Sequence, residues 1–143
     1  MNKFVAYTDG ACAPSNPGPC AWACLIFGPD GTKTEHKGYI GHGTNQIAEL
    51  TAAVEALTRI PAGSWVELVA DSQYVLKGLT EWRAGWERRN YRNSKGDPVA
   101  NLDLWKKLFA IADKRTVTTR WVKGHAGDEH NERADELAGL ALQ

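Results

Sequence analysis

The sequence predicts an α/β fold, a five-stranded mixed sheet with three antiparallel strands followed by parallel crossovers, flanked by helices. Three observations predict it. From Lys3 to Ile40, β-prone stretches are separated by short turn clusters, which makes an antiparallel meander. After Gly41-His42-Gly43 the apolar period lengthens to that of a helix. Beyond that point short apolar strands alternate with helical stretches, and strands joined through helices pair in parallel.

The elements follow in order. Lys3 to Cys12 alternates and reads as a strand, and Pro14-Ser15-Asn16-Pro17-Gly18-Pro19 is a turn cluster. Ala21 to Phe27 is a second strand, Gly28-Pro29-Asp30-Gly31 a hairpin turn, and Thr32 to Ile40 a third strand. Ile47, Leu50, Val54 and Leu57 share one helical face, with Thr44 or Asn45 as N-cap. Pro61-Ala62-Gly63 ends that region, and Trp65 to Ala70 is a short apolar strand. Ser72 is placed to cap a helix carrying Val75, Leu76 and Leu79, and Asn101 one carrying Leu104, Leu108 and Ile111. Val117 to Val122 is β-branched and reads as the last strand. Asp128 opens a final helix with Ala134, Leu137, Ala138 and Ala141 on its apolar side.

At 143 residues, without repeats, linkers or low-complexity tracts, a single domain over residues 1–143 is expected. No apolar run reaches the roughly 20 residues of a membrane span. Asp9 interrupts the N-terminal apolar stretch too early for a signal peptide, so a cytoplasmic protein is expected. The cysteines, Cys12, Cys20 and Cys24, are odd in number and lack companions for a zinc site, so small buried thiols are expected. Seventeen basic residues balance seventeen acidic ones, which argues against bulk electrostatic binding of nucleic acid. The distribution is uneven. Between Trp82 and Lys95 five basic residues (Arg83, Arg88, Arg89, Arg92, Lys95) face one acid, Glu87, a local balance of +4.

Four acids stand out by position. Asp9 lies near the end of the first strand, Glu49 in the first turns of the first long helix, and Asp135 beside the apolar stripe of the last helix. Asp71 immediately follows the apolar strand, where ligand sites of α/β sheets lie. Should they converge, their repulsion demands a cation, and an all-oxygen set suits Mg²⁺ or Mn²⁺. Two Mg²⁺ ions roughly 4 Å apart would match four carboxylates in charge and suit phosphodiester cleavage. Spacing alone leaves other readings open, including a solvated set of surface charges.

The flanking residues narrow them. Tyr7-Thr8-Asp9-Gly10, then Asn45-Gln46-Ile47-Ala48-Glu49-Leu50, Asp71-Ser72-Gln73-Tyr74-Val75, and Trp121-Val122-Lys123-Gly124-His125-Ala126-Gly127 followed by Asn131-Glu132-Arg133-Ala134-Asp135-Glu136-Leu137-Ala138 occur in that order. With these segments the chain resembles type 1 ribonuclease H from Lys3 to about Leu142. The resemblance implies a ribonuclease H-like fold and a magnesium-dependent endonuclease that cuts the RNA strand of an RNA–DNA hybrid, removing primers and R-loops, as a monomer. It implies that Asp9, Glu49, Asp71 and Asp135 bind the metal, and that His125 assists proton transfer or product release. A histidine between glycines sits on a flexible loop and is of the side-chain type that exchanges protons near neutrality, in agreement.

A hybrid is told from other duplexes by the 2′-hydroxyls of its RNA strand. The resemblance places Cys12, Ser15, Asn16, Asn45, Gln46 and Gln73 along the minor groove. It makes residues 82–95 a basic protrusion for the DNA strand, with Arg88 and Arg89 among its cations. It puts Tyr74, Trp86 and Ser94 on the DNA channel and Thr44 and Asn101 at a phosphate pocket, while Trp82 is expected mainly in the core. One departure concerns His42, where some relatives carry Arg; a histidine makes a weaker, pH-dependent phosphate contact. Three alternatives fit less well. A dead binding module would lack a carboxylate. A resolvase or transposase core would lack the basic protrusion followed by the WVKGHAG segment. A phosphotransferase would need a glycine-rich phosphate loop, and Gly41-His42-Gly43-Thr44 lacks its lysine.

Overall fold

The computed structural model describes residues 2–143. Strands β1 (Lys3–Cys12), β2 (Gly18–Phe27) and β3 (Lys33–Gly43) form the meander, followed by α1 (Asn45–Thr58) and β4 (Trp65–Ala70). Then come α2 (Gln73–Lys77), a π-helical turn (Gly78–Trp82), α3 (Arg83–Arg88), α4 (Leu102–Ala112), β5 (Thr116–Trp121) and α5 (Glu129–Ala141). The sheet order is β3-β2-β1-β4-β5, with β1–β2 and β2–β3 antiparallel and β1–β4 and β4–β5 parallel. The predicted five-stranded mixed sheet is therefore the one observed.

Alternation along the strands divides the core in two. Ala6, Cys24, Leu68 and Ala70 face α1 and α4 in the larger cluster with Leu50, Leu57, Trp105 and Leu108. Tyr7, Leu25 and Val69 face α5 and meet Ala134, Leu137 and Ala138. A slip of one residue in β1 would exchange these faces, so burial on both sides fixes the register.

The caps explain most element boundaries. Thr44 is the α1 N-cap, its hydroxyl accepting from the Ile47 N–H at 3.2 Å. Ser72 caps α2 through Val75, and Asp128 caps α5 through His130 and Asn131. Asn101 stands at the α4 N-cap position but does not cap with its side chain; its backbone is left-handed (φ +59°) and its amide donates to the Tyr74 hydroxyl at 3.2 Å.

Two expectations are corrected. Cys12 and Cys20 form a disulfide rather than staying thiols, and only Cys24 is a free, buried thiol. The antiparallel register sets Cys12 directly opposite Cys20, Cα to Cα 4.1 Å, once the Pro14–Pro17 turn closes. Burial pushes the Cys24 thiol up to about 12. The helix expected from Ser72 is not continuous either. It widens into the π-helical turn at Gly78, where the Trp105 indole occupies the space that a Cβ would fill.

Candidate active site

Four elements bring their acids to one end of the sheet. Asp9 is on β1, only 4% exposed, with its side chain on the α5 side. Asp71 follows β4, and Asp135 projects from α5 to within hydrogen-bonding reach of Asp9. Glu49 comes from α1, on the other side of the sheet, and reaches over the edge at Gly10. Oxygens of Asp9, Glu49 and Asp71 lie within 4.8 Å of one another.

Gly10 makes the crossing possible. A Cβ on it would stand 2.5 Å from the Glu49 backbone nitrogen, so only glycine lets α1 lie this close to β1. Its N–H then donates to both carboxylates, to Glu49 Oε1 at 2.5 Å and to Asp9 Oδ1 at 3.0 Å. One backbone proton thus sets the orientation of two acids from opposite layers.

The electrostatics are those of a site built for a cation. Burial first, then the charges of Glu49, Asp71 and Asp135, push the Asp9 carboxyl far above its ordinary range. Burial and the Asp71 charge do the same to Glu49, opposed by the Gly10 N–H. Asp71 is raised less, because burial is offset by hydrogen bonds from Glu49 and from the Asn131 side chain. Among the described residues no arginine or lysine pairs with any of the four. Hard oxygen donors, clustered and uncompensated, fit a divalent cation such as Mg²⁺ or Mn²⁺ and do not fit a soft metal.

Sequence reasoning missed two participants. Asn131 is 3% exposed and its amide supports Asp71 from α5. The Trp121 indole N–H donates to the Asp71 backbone carbonyl at 3.2 Å. The signal was available for Asn131, a polar residue one helical turn before Asp135 and therefore on the same face. His125 is exposed on the loop between β5 and α5, with a left-handed backbone (φ +56°). Gly124 beside it lies against Asp71, where a Cβ would be 3.1 Å from Oδ2.

The expected minor-groove residues gather in part. Asn16, from the β1–β2 loop, accepts from the Asn45 N–H at 2.9 Å, which brings Ser15, Asn16, Asn45 and Gln46 to one exposed rim. Ser15 donates to the Pro17 carbonyl, and Gln73 is exposed at the start of α2. Cys12, bound to Cys20, has no S–H to offer. His42 is exposed at the end of β3, two residues before Thr44.

The region 82–95 separates into a packed base and a charged tip. Tyr74, Trp82, Trp86, Trp105 and Phe109 form one aromatic cluster, with Trp86 5.1 Å from Trp105. Tyr74 spends its hydroxyl on Trp105 Nε1 (2.9 Å) and Asn101. Both Tyr74 and Trp86 are half-buried against the core. Arg83 is not a free cation, since it pairs with Asp113 through two hydrogen bonds and lies over the Phe109 ring. Arg88, Arg89, Arg92 and Lys95 are exposed with Ser94, and Arg89 and Arg92 brace the loop by donating to the Arg92 and Gly96 carbonyls.

The acids are largely withdrawn from solvent, with Asp9 buried and Glu49 and Asp71 half-buried. A cavity of about 660 Å³ lined by Phe4, Ile26, Pro29 and Arg59 lies toward the other end of β1, away from the acids.

Comparisons with known proteins agree with this geometry. The family model described as RNase H matches residues 1–143. The chain is 49% identical over 140 residues to a protein of Granulibacter bethesdensis named Ribonuclease H, covering 98% of this chain and 92% of the relative. It is 51% identical over 146 residues to one of Hahella chejuensis with the same name, covering 100% and 95%. Among solved structures it is similar to LC9-RNase H1, a type 1 RNase H with the type 2 active-site motif (TM-score 0.87, 26% identity, 99% of this chain and 72% of the other). It is also similar to LC11-RNase H1 in complex with RNA/DNA hybrid (TM-score 0.69, 25% identity, 97% and 96%). No described helix is long and apolar enough to cross a membrane.

Proposed function

The chain belongs to the RNase H family, and we propose that it hydrolyses the RNA strand of RNA–DNA hybrids at the Asp9–Glu49–Asp71–Asp135 cluster. The observation that carries this reading is the convergence of uncompensated carboxylates beside an exposed polar rim. The four acids hold the divalent cations, two with substrate bound, Mg²⁺ with Mn²⁺ as a substitute. Such ions, when bound, activate the attacking water and stabilise the leaving oxygen, leaving 3′-hydroxyl and 5′-phosphate ends.

The chain's own residues do the rest. Gly10 N–H and Asn131 orient the acids. His125, on its exposed loop, gives or takes a proton at the leaving side or helps product depart. Ser15, Asn16, Asn45, Gln46 and Gln73 read 2′-hydroxyls from the minor-groove rim, and Cys12 contributes backbone and sulfur surface only. Thr44, Asn101 and His42 hold a DNA phosphate. Tyr74, Trp86 and Ser94 line the DNA channel, and Arg88 and Arg89 contact its backbone. The protein works in the cytoplasm as a monomer, on primers and R-loops.

A strand-resolved cleavage assay tests the reading. One labelled RNA is offered alone, paired with RNA and paired with DNA, beside a DNA duplex, with Mg²⁺ or EDTA. Cutting of the RNA in the hybrid, only with metal, is expected. Cutting of the DNA duplex instead would send the site to the resolvase class.

A further inference from the structure

A groove of about 260 Å³ runs from the carboxylate end of the sheet down the side of the molecule, between α2 with its π-helical turn and the edge strand β5. Gln73 and Trp121 stand at its upper end, Lys77 one turn lower, and Glu81 at the foot. Trp121 is 49% exposed and Trp65 46%, but Trp65 starts β4 at the opposite end of the sheet, whereas Trp121 stands beside the acids. Its orientation is not loose, because the indole N–H is held by the Asp71 carbonyl. A large aromatic surface is thus fixed in water one residue contact from a catalytic acid, and packing gives no reason for it to be there.

We propose that this groove binds one unpaired ribonucleotide at the end of the RNA strand of a hybrid, its base stacked on Trp121 and its phosphate on Lys77. The inference rests on the hybrid-cleaving reading above. A base within the duplex is already paired and stacked, so a fixed aromatic face and a lone cation suit an unstacked nucleotide. The volume suits one base and sugar, below the range of larger ligand sites. Charge sets the same limit: Lys77 is exposed in the groove, whereas Glu81 one turn farther repels a second phosphate. Leu76 and Thr119 line the floor with apolar and small polar surface.

The test measures binding of hybrids in EDTA, each blunt or with one to three unpaired ribonucleotides at the 5′ or the 3′ end of the RNA. A DNA-strand overhang of equal length is the control. An RNA overhang of one polarity is expected to tighten binding about fivefold to tenfold, with the whole gain present at the first nucleotide. Trp121→Ala should abolish the difference between overhang and blunt, and Trp121→Phe, which keeps an aromatic face, should restore most of it. Lys77→Ala should lower the salt slope of the overhang hybrid by about one phosphate contact. Comparing overhang with blunt inside each variant cancels any effect of losing the bond to Asp71. Equal binding of blunt and overhang hybrids by the wild type, a gain that survives Trp121→Ala, or an equal gain from DNA overhangs would overturn the proposal. If blunt hybrid is cut but overhangs bring no gain, only the groove is refuted; if blunt hybrid is neither bound nor cut, the parent reading fails.

Discussion

Replacing Asp9 by Asn should stabilise the metal-free protein while abolishing cleavage. Asp9 has carboxylate oxygens of Glu49 and Asp71 within 4.8 Å, and at an effective dielectric of about 20 one such pair repels by about 3.5 kcal/mol. Burial first, and then this repulsion, raise Asp9 and Glu49, so that in the absence of metal the cluster favours keeping a proton. Holding that proton grows costlier by about 1.4 kcal/mol per pH unit above the unfolded chain's carboxyl range. For a group raised on folding, the stability it contributes is complete below the ordinary carboxylate range and is lost as pH climbs toward the raised value. Metal-free wild type should therefore weaken from about pH 4 to pH 8, and Asp9→Asn should weaken less. Allowing for relaxation and shared protons, a gain of about 2–3 kcal/mol at pH 8 is expected, or roughly 6–10 °C in Tm. Gly10 still finds its Oδ1 acceptor in Asn, so the local hydrogen bond survives. Thermal melts in EDTA at pH 4.5, 6 and 8, repeated in 10 mM Mg²⁺, check it. The advantage should vanish at pH 4.5 and shrink in Mg²⁺, which stabilises the wild type more than the variant. A variant no more stable than wild type in EDTA at pH 8 would refute the claim that the acids repel uncompensated.

Three further outcomes follow from the same geometry. Asn131→Ala removes the buried donor to Asp71, and a loss of about 10- to 100-fold in apparent Mg²⁺ affinity is expected in a metal titration of cleavage; an unchanged titration would deny the support. Gly10→Ala drives a methyl into the α1 backbone at Ala48 and Glu49, and should cost about 1–3 kcal/mol in denaturant unfolding while cutting kcat far more than KM, since Glu49 is displaced. On the proposal that His42 helps to hold a DNA phosphate, His42→Ala should weaken hybrid binding measured without turnover and lower its salt slope by about one contact, and an unchanged slope would remove His42 from that role.

The sequence carried the sheet well because its signals were local. β1 and β4 begin and end where alternation and apolar character do, and Thr44, Ser72 and Asp128 cap where their type and position indicate. What it concealed depends on partners far along the chain. Asn101 has a capping residue's identity, yet its amide is drawn to Tyr74, 27 positions away. Arg83 counts as a cation of the protrusion until Asp113, just past the end of the next helix, claims it. The Cys12–Cys20 bond follows from strand register, which cysteine counting does not see. In the candidate site the four acids were legible from their motifs, whereas Asn131 and Trp121 matter through what they touch, and no local pattern states that.

The acid cluster draws on β1, α1, the end of β4 and α5, so Asp9 and its neighbour Asp135 come from the two ends of the chain. During synthesis the rim residues and the basic tip emerge well before α5 does. A chain still leaving the ribosome therefore holds three of the four acids and lacks the fourth until α5 is made.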